Sequence, residues 1–365
     1  MPTAVSRVNK TIATLLLCSA QVLLGQLNNH FFLQTNPRKQ WENQALFFHK
    51  NSEYFDAVAP GQTLLGAQYR SEIHKALGQG ALLSGGLLVQ GLYGAQQSGQ
   101  VWQSSSPVRL FPLLAFRYVH KQQRWQLGHL PGPLSHDLPE TLMNYDWAWN
   151  RPVEYGIDHR IFHPKVQVNT WLDWRQLAIP HQSQQEVISA GTAIKPTWYS
   201  RGDFTLSSPI NALIYHQGGE NLTQRKPLVT QINLSAGLRA NLGPWEINSQ
   251  FMHSRDASPQ LRQPFREGWA SSSWIKYHIG QWEQALVLQT AHEFSAPLGA
   301  PLYSSVDRNQ PYATVRDRCI LQARIHYTHP LSVEGVSLDA RLDPMYDCMN
   351  QKFLISAGAY LKVEF

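Results

Sequence analysis

Apolar and polar residues alternate with a period of two along most of the chain, a pattern typical of β-strands that turn one face toward an apolar medium. Residues 231–242 show it best: Ile, Leu and Ala occupy one face there, and Gln, Asn, Ser, Gly and Arg the other. The same alternation recurs at residues 153–161, 165–174, 245–251, 319–328 and 336–343. A tilted strand needs roughly 9 to 11 residues to cross a membrane. The pattern therefore predicts an all-β protein built from membrane-crossing strands.

The connections between these segments alternate between short and long. Tight links fall near residues 77–80, 120–121, 163–164, 199–202, 243–244, 279–280 and 329–330. Longer polar stretches fall at residues 93–107, 131–152, 177–185, 217–228, 256–265, 295–315 and 344–350. With strands at 46–57 and 62–76 included, the alternation predicts about 16 strands in one closed antiparallel barrel. The count falls to 14 if the two weakest segments, 46–57 and 122–130, do not form strands. Closure is required because unpaired backbone groups in lipid cost several kcal/mol each.

The final strand carries the most specific signal. Its apolar face consists of Phe353, Ile355, Ala357, Ala359, Leu361, Val363 and Phe365. A terminal amphipathic strand that ends on an aromatic residue resembles the assembly signal of bacterial outer-membrane β-barrel proteins, with Leu361, Val363 and Phe365 as its core. The resemblance implies an outer-membrane location, contact with outer-membrane lipid and lipopolysaccharide, and recognition by the barrel-assembly machinery.

The N-terminus reads as a signal peptide, because Arg7 and Lys10 precede an apolar run and no acidic residue occurs before Glu42. We predict a signal peptide at residues 1–25, an N-terminal periplasmic segment at 26–45 and the barrel at 46–365. The signal end, Leu-Leu-Gly-Gln, also resembles those of the Bacteroidota.

Composition narrows the range of functions. The net charge of +6 is dispersed without a Lys/Arg tract, so nucleic-acid binding is not expected. After the first 25 residues, no apolar run reaches the roughly 18 residues of a transmembrane helix. The 15 histidines show no metal-ligand spacing, and neither a metal nor a cofactor is expected. Cys319 and Cys348 either remain unpaired, the simpler reading, or form one bridge. The oligomeric state stays open.

The face opposite the apolar one predicts the lumen wall. Its charged members of nearly balanced sign are Arg70, Glu72, Glu154, Asp158, Arg160, Asp173, Arg175, Arg239, Arg324, Asp339, Arg341 and Lys362, with His74, His326 and Glu364 beside them. Such a wall suits either a water-filled pore or a lumen filled by salt bridges. The segment at 131–152 either folds inward as a constriction or packs on itself outside, and its candidate constriction residues are Asp137, Tyr145, Asp146, Trp147 and Trp149.

These features predict an outer-membrane channel of the porin kind that passes small hydrophilic solutes, because barrels of about 16 strands leave an aqueous lumen. The alternative is a barrel within an envelope export or scaffold complex, for example one for polysaccharide export. Lipid acyl hydrolysis ranks third, since the His followed by Ser-Asn-Gly of outer-membrane phospholipases is absent. The adjacent pair His253 and Ser254 would also point to opposite faces of a strand. We therefore expect no enzyme activity.

Overall fold

The computed structural model describes residues 40–93, 108–178, 185–218, 227–307 and 313–365. Within these ranges the chain forms seventeen β-strands joined in a single antiparallel sheet. The strands are β1 (Trp41–Phe55), β2 (Pro60–Gly78), β3 (Ala81–Tyr93), β4 (Val108–His120), β5 (Gln123–Leu130), β6 (Glu154–His163), β7 (Val166–Gln176), β8 (Glu186–Arg201), β9 (Phe204–Ser207), β10 (Ile210–Gly218), β11 (Val229–Leu242), β12 (Trp245–Asp256), β13 (Glu267–Ile279), β14 (Trp282–His292), β15 (Asp317–Pro330), β16 (Val336–Asp347) and β17 (Lys352–Glu364). None of the helices among the described residues is long and apolar enough to span a membrane.

The sheet closes on itself. Strand β1 pairs with both β2 and β17, and Asn43 and Phe365 exchange backbone hydrogen bonds of 3.1 and 3.0 Å at the seam. Strands β9 and β10 act as one strand, because both lie between β8 and β11 and only Ser208 and Pro209 separate them. Proline has no N–H for the ladder, which accounts for the break at this point. The prediction of a closed 16-strand antiparallel barrel is confirmed.

Tight turns connect the strands at one end of the barrel. Gly243 and Gly280 occupy the left-handed region in two of them, with φ of 54° and 57°. Aromatic rings flank these turns: Trp245 packs on Tyr277 with 4.5 Å between ring centroids. Short turns mark the periplasmic side of outer-membrane barrels, and aromatic girdles lie at both interfaces, so the end with the long connections faces the extracellular medium.

The two faces of the wall follow the predicted alternation. On β11, Leu238 and Leu242 point outward and are exposed, whereas Asn233 and Arg239 point inward and are buried. An apolar exterior is favourable only where lipid replaces water. The outer surface is therefore the lipid-facing wall.

Two long connections fold into the barrel and together form what we call the lumenal plug, residues 131–153 and 294–307. They contain short helical turns at Pro133–His136, Trp147–Asn150 and Pro301–Tyr303. Leu142 and Phe294 are completely buried. The two segments bind each other through their backbones, since the Asn144 N–H donates to the Leu298 carbonyl at 2.7 Å. Inward folding, one of the two alternatives for residues 131–152, is what the structure shows.

Some predicted boundaries differ from the structure. Strand β1 begins at Trp41, inside the segment predicted to precede the barrel, and β16 continues to Asp347, through most of the loop predicted at 344–350. The predicted signal peptide and most of segment 26–45 lie outside the described residues, as do most of the loops predicted at 93–107, 177–185 and 217–228.

Candidate functional site

The lumen wall carries a dense set of charged side chains. The structure places the predicted residues on the inward face: Arg70, Glu72, Glu154, Asp158, Arg160, Asp173, Arg175, Arg239, Arg324, Asp339, Arg341 and Lys362. They form ion pairs rather than one field of a single sign; Arg70 binds Glu72 at 2.7 Å and Lys362 binds Asp339 at 3.1 Å. The wall therefore presents paired charges of both signs.

Acidic residues of the lumenal plug bind basic residues of the wall. Asp137 lies 3.4 Å from Lys195 and 3.5 Å from Arg239, and Glu140 lies 2.9 Å from Arg324. Burial alone would raise the pKa of Asp137, but the charges of Lys195 and Arg239 outweigh it and lower that pKa below the usual aspartate value. These pairs hold the plug against the barrel in a defined position.

Aromatic residues of the plug pack against the same wall. The ring of Trp149 stacks between Phe48 and Tyr360, at centroid distances of 4.9 and 5.2 Å. The guanidinium of Arg175 lies over the ring of Trp147 at 4.5 Å. The candidate constriction residues Tyr145, Asp146, Trp147 and Trp149 are thus brought together inside the barrel, with Asp137 nearby on the same segment.

One buried cluster in the lumen has the composition of a hydrolase triad. Ser84 Oγ lies 2.8 Å from Nδ1 of His74, and Nε2 of His74 lies 3.4 Å from Oε2 of Glu42. All three residues are buried on the inward face of β1 to β3. The sheet separates this cluster from the surrounding lipid, so a membrane lipid has no direct route to it.

A close histidine and carboxylate pair, His292 and Asp317, lies on the lipid-facing wall. His292 ends β14 and Asp317 begins β15, both at the extracellular end, and they are directly opposite in the strand register. Nδ1 of His292 lies 2.6 Å from Oδ1 of Asp317. Both side chains are accessible, with exposed fractions of 34% and 48%. Ionisable groups on a lipid-facing surface are costly and are usually retained for function.

The backbone fixes the position of this pair. Glu293 follows His292 in the left-handed region, with φ of 52°, and from there the chain turns into the lumen at the buried Phe294. A non-glycine residue in this region is strained, and such strain is concentrated at functional sites. Arg316 binds Glu293 at 2.8 Å, which leaves the Glu293 carboxylate 4.0 Å from Nε2 of His292, beyond hydrogen-bonding distance.

Further polar and aromatic groups surround the pair on the outer surface. Trp269 stacks on the His292 ring with 5.9 Å between centroids. One row closer to the membrane centre, Ser271 and Thr290 share a hydroxyl hydrogen bond of 2.7 Å. These hydroxyls belong to neighbouring residues on the same face, and no hydrogen bond joins either of them to His292 in the described part of the chain.

A groove of about 370 Å³ runs along the lipid-facing wall beside this site. It is lined by small residues, namely Thr192, Ala212, Ser235 and Ala236, and by larger ones, namely Ile194, Ile210, Asn211, Leu234, Phe251 and His253. Cross-strand register places Leu234, His253, Trp269, His292 and Asp317 in one row. With strands about 4.8 Å apart, His253 at the groove lies about 10 Å from His292.

Sequence reasoning missed both members of the pair. His292 and Asp317 occupy outward positions of two different strands. The available signal was that each polar residue falls at a position where the alternation of its strand predicts an apolar one. Within the described ranges, no group of three or more His, Cys, Asp or Glu side chains is arranged to hold a metal ion.

The closed sixteen-strand barrel with its apolar exterior defines a multi-pass β-barrel protein of the bacterial outer membrane. Similar solved structures include Acinetobacter baumannii OccAB3 (TM-score 0.52, 9% identity), which covers 89% of this chain and 98% of its own. The outer membrane protein OpdK of Pseudomonas aeruginosa (TM-score 0.54, 8% identity) gives the same coverages, as does OpdL of that organism (TM-score 0.53, 10% identity). Identities this low show a shared fold.

A sequence model of the lipid A 3'-O-deacylase-type family matches residues 39–365, and the chain belongs to that family. The expectation that the protein is not an enzyme is wrong, because this is a family of enzymes. No protein of curated function matches the sequence. The suggested origin in the Bacteroidota stays a prediction.

Proposed function

We propose that the protein hydrolyses an acyl ester of a lipid of the lipid A class in the outer leaflet, with His292 as general base and Asp317 as its orienting partner. The observation that carries the proposal is the 2.6 Å contact between Nδ1 of His292 and Oδ1 of Asp317 on the lipid-facing wall at the extracellular end. Family membership supports the reaction class. The location supports the substrate, because β14 ends at His292 and β15 begins at Asp317 on the extracellular side of the lipid-facing wall, the side on which the outer leaflet lies.

The geometry suits activation of a water molecule. Asp317 accepts the hydrogen bond from Nδ1–H of His292, which fixes the tautomer and leaves the lone pair on Nε2. Nε2 takes a proton from water while the water oxygen attacks the ester carbonyl. The bond from the carbonyl carbon to the sugar oxygen then breaks, and the imidazolium returns the proton to that oxygen. The products are a free fatty acid and a deacylated lipid.

The groove provides a place for the acyl chain. It lies on the lipid-facing wall, is lined in part by small residues, and shares a register row with the catalytic pair. A chain lying in the groove past His253 would bring its ester over Trp269 toward His292. The strained residue Glu293 and its partner Arg316 lie next to the catalytic pair in the chain, with Glu293 after His292 and Arg316 before Asp317.

The test measures fatty acid release from purified lipid A in mixed detergent micelles by mass spectrometry. We expect release by the folded protein, and a loss of roughly 100-fold or more for His292→Asn, as for removal of a general base. Asp317→Asn should also be impaired. Heat-modifiable gel migration confirms that each variant is folded.

The lumenal cluster of Ser84, His74 and Glu42 provides matched control variants. Ser84→Ala and His74→Asn each remove one member of this cluster and leave His292 and Asp317 intact. We expect both to retain wild-type activity. Full activity in His292→Asn together with loss in Ser84→Ala would overturn the assignment and place the chemistry in the lumen. Absence of release by the wild-type protein would overturn the proposed reaction.

A channel for small hydrophilic solutes is the second candidate, favoured by the charged lumen wall and by the inward-folded segment at 131–153 that would serve as its constriction. Stepwise conductance of the refolded protein in a planar bilayer would support passage of solutes. A folded barrel that stays silent would argue that the plug closes the lumen.

A further inference from the structure

Two cysteines meet at the extracellular end of the barrel. Cys319 is the third residue of β15, and Cys348 immediately follows β16. The register that pairs Ile320 with Asp347 places the two cysteines opposite each other. The Cys348 N–H donates to the Cys319 carbonyl at 2.8 Å, which fixes the two residues opposite each other, and the Cys348 thiol donates to the Tyr346 carbonyl at 3.9 Å. Both side chains therefore lie on one face at the end of the same hairpin.

This arrangement is close to that of a disulfide. Directly opposed residues of antiparallel strands have Cβ atoms about 4.5 to 5.5 Å apart, and a disulfide requires roughly 3.5 to 4.5 Å. A small inward shift spans the difference, and it is available here because Cys348 lies one residue past the end of β16. Cys348 is exposed and Cys319 is partly exposed, so no packed side chain has to move for the two thiols to join. The compartments on either side of the outer membrane permit disulfides.

We propose that Cys319 and Cys348 are a disulfide site, oxidised while the chain is still in the periplasm, before the barrel inserts, by exchange with the disulfide of a periplasmic thiol oxidant. The thiolate of the exposed Cys348 attacks the oxidant and forms a mixed disulfide, releasing one oxidant thiolate. The thiolate of Cys319 then attacks Cys348 Sγ and releases the second. The two cysteines lose two electrons and two protons in total, and the oxidant gains them as a dithiol.

The bond would fasten the start of β15 to the turn between β16 and β17. Asp317 lies two residues before Cys319 on the same face, and Thr290 lies opposite Cys319 on β14. The disulfide would thus stiffen the strand end that carries Asp317. The proposal stands independently of the catalytic one, because it rests on the two thiols alone.

The experiment counts thiols in the full-length protein taken from outer membranes of cells with an intact disulfide-forming system. Acid-quenched, denatured samples are labelled with a polyethylene glycol maleimide, with and without prior reduction. We expect reduction to add two labels. The difference between samples is scored, because Cys18, where retained, labels equally in both. Peptide mapping should find Cys319 linked to Cys348 within one chain.

Single variants provide the control. Cys319→Ser and Cys348→Ser should each leave one cysteine that labels without reduction, in protein that shows normal heat-modifiable migration. If the variants fail to assemble, the wild-type count and peptide map decide the question. Two reactive thiols before reduction, or a link between two chains, would overturn the proposal.

Discussion

A matched pair of arginine substitutions on one strand tests both the lipid-facing wall and its depth in the membrane. Leu238 and Leu242 share the outward face of β11 and are almost equally exposed, at 58% and 57%. Leu242 ends the strand beside the periplasmic turn. Leu238 lies four residues further in, which at about 3.4 Å per residue and a tilt near 45° places it about 10 Å deeper. The apolar band is about 25 Å tall, so Leu238 lies near its middle.

We expect Leu238→Arg to lower the free energy of unfolding by about 2 to 4 kcal/mol, and Leu242→Arg by about 0 to 1 kcal/mol, because the cost of a cation falls toward the interface. Since every 1.4 kcal/mol is tenfold, the first change shifts the folding equilibrium by roughly 30-fold or more. Reversible urea unfolding of the barrel in lipid vesicles, followed by tryptophan fluorescence, measures both values. Equal costs for the two variants would refute the placement of Leu238 near the middle of the apolar band. A Leu238→Arg variant as stable as the wild type would refute the assignment of this side chain to the lipid-facing wall.

Deleting Phe365 should reduce the heat-modifiable fraction of the protein in outer membranes, because the deletion removes the backbone hydrogen bonds to Asn43 at the seam. Phe353→Ala, at the other end of β17, is the control. Equal assembly of the two variants would contradict the prediction. The lumenal plug should loosen in acid, because the lowered pKa of Asp137 gives stability that is present above the ordinary aspartate pKa and is lost as pH falls through the lowered value. Limited proteolysis of residues 131–153 measures this loosening, and Asp137→Asn should be looser at neutral pH and lose the dependence; identical pH profiles would contradict the assignment.

The barrel wall of this protein was predictable because the side on which each residue lies depends only on its neighbours in the chain. In a strand that separates lipid from an inner space, the side of each residue follows from parity, and the medium selects its polarity. Residues 231–242 and the last strand therefore predicted the faces of β11 and β17, and the alternation of turn lengths predicted sixteen strands. The break between β9 and β10 at Pro209 left that count unchanged.

What the sequence determined by itself was the closed outer-membrane barrel, its two faces and the inward position of its charges, since period and turn length need only neighbouring residues. Only the tertiary structure decided that residues 131–153 enter the lumen. The alternative, a loop that packs on its own aromatic residues outside the barrel, would bury the same side chains, so the sequence does not distinguish the two. It also brought His292 to Asp317 and Cys319 to Cys348. Those pairs depend on the register between strands joined by long connections, and a shift of one residue would send each side chain to the opposite face.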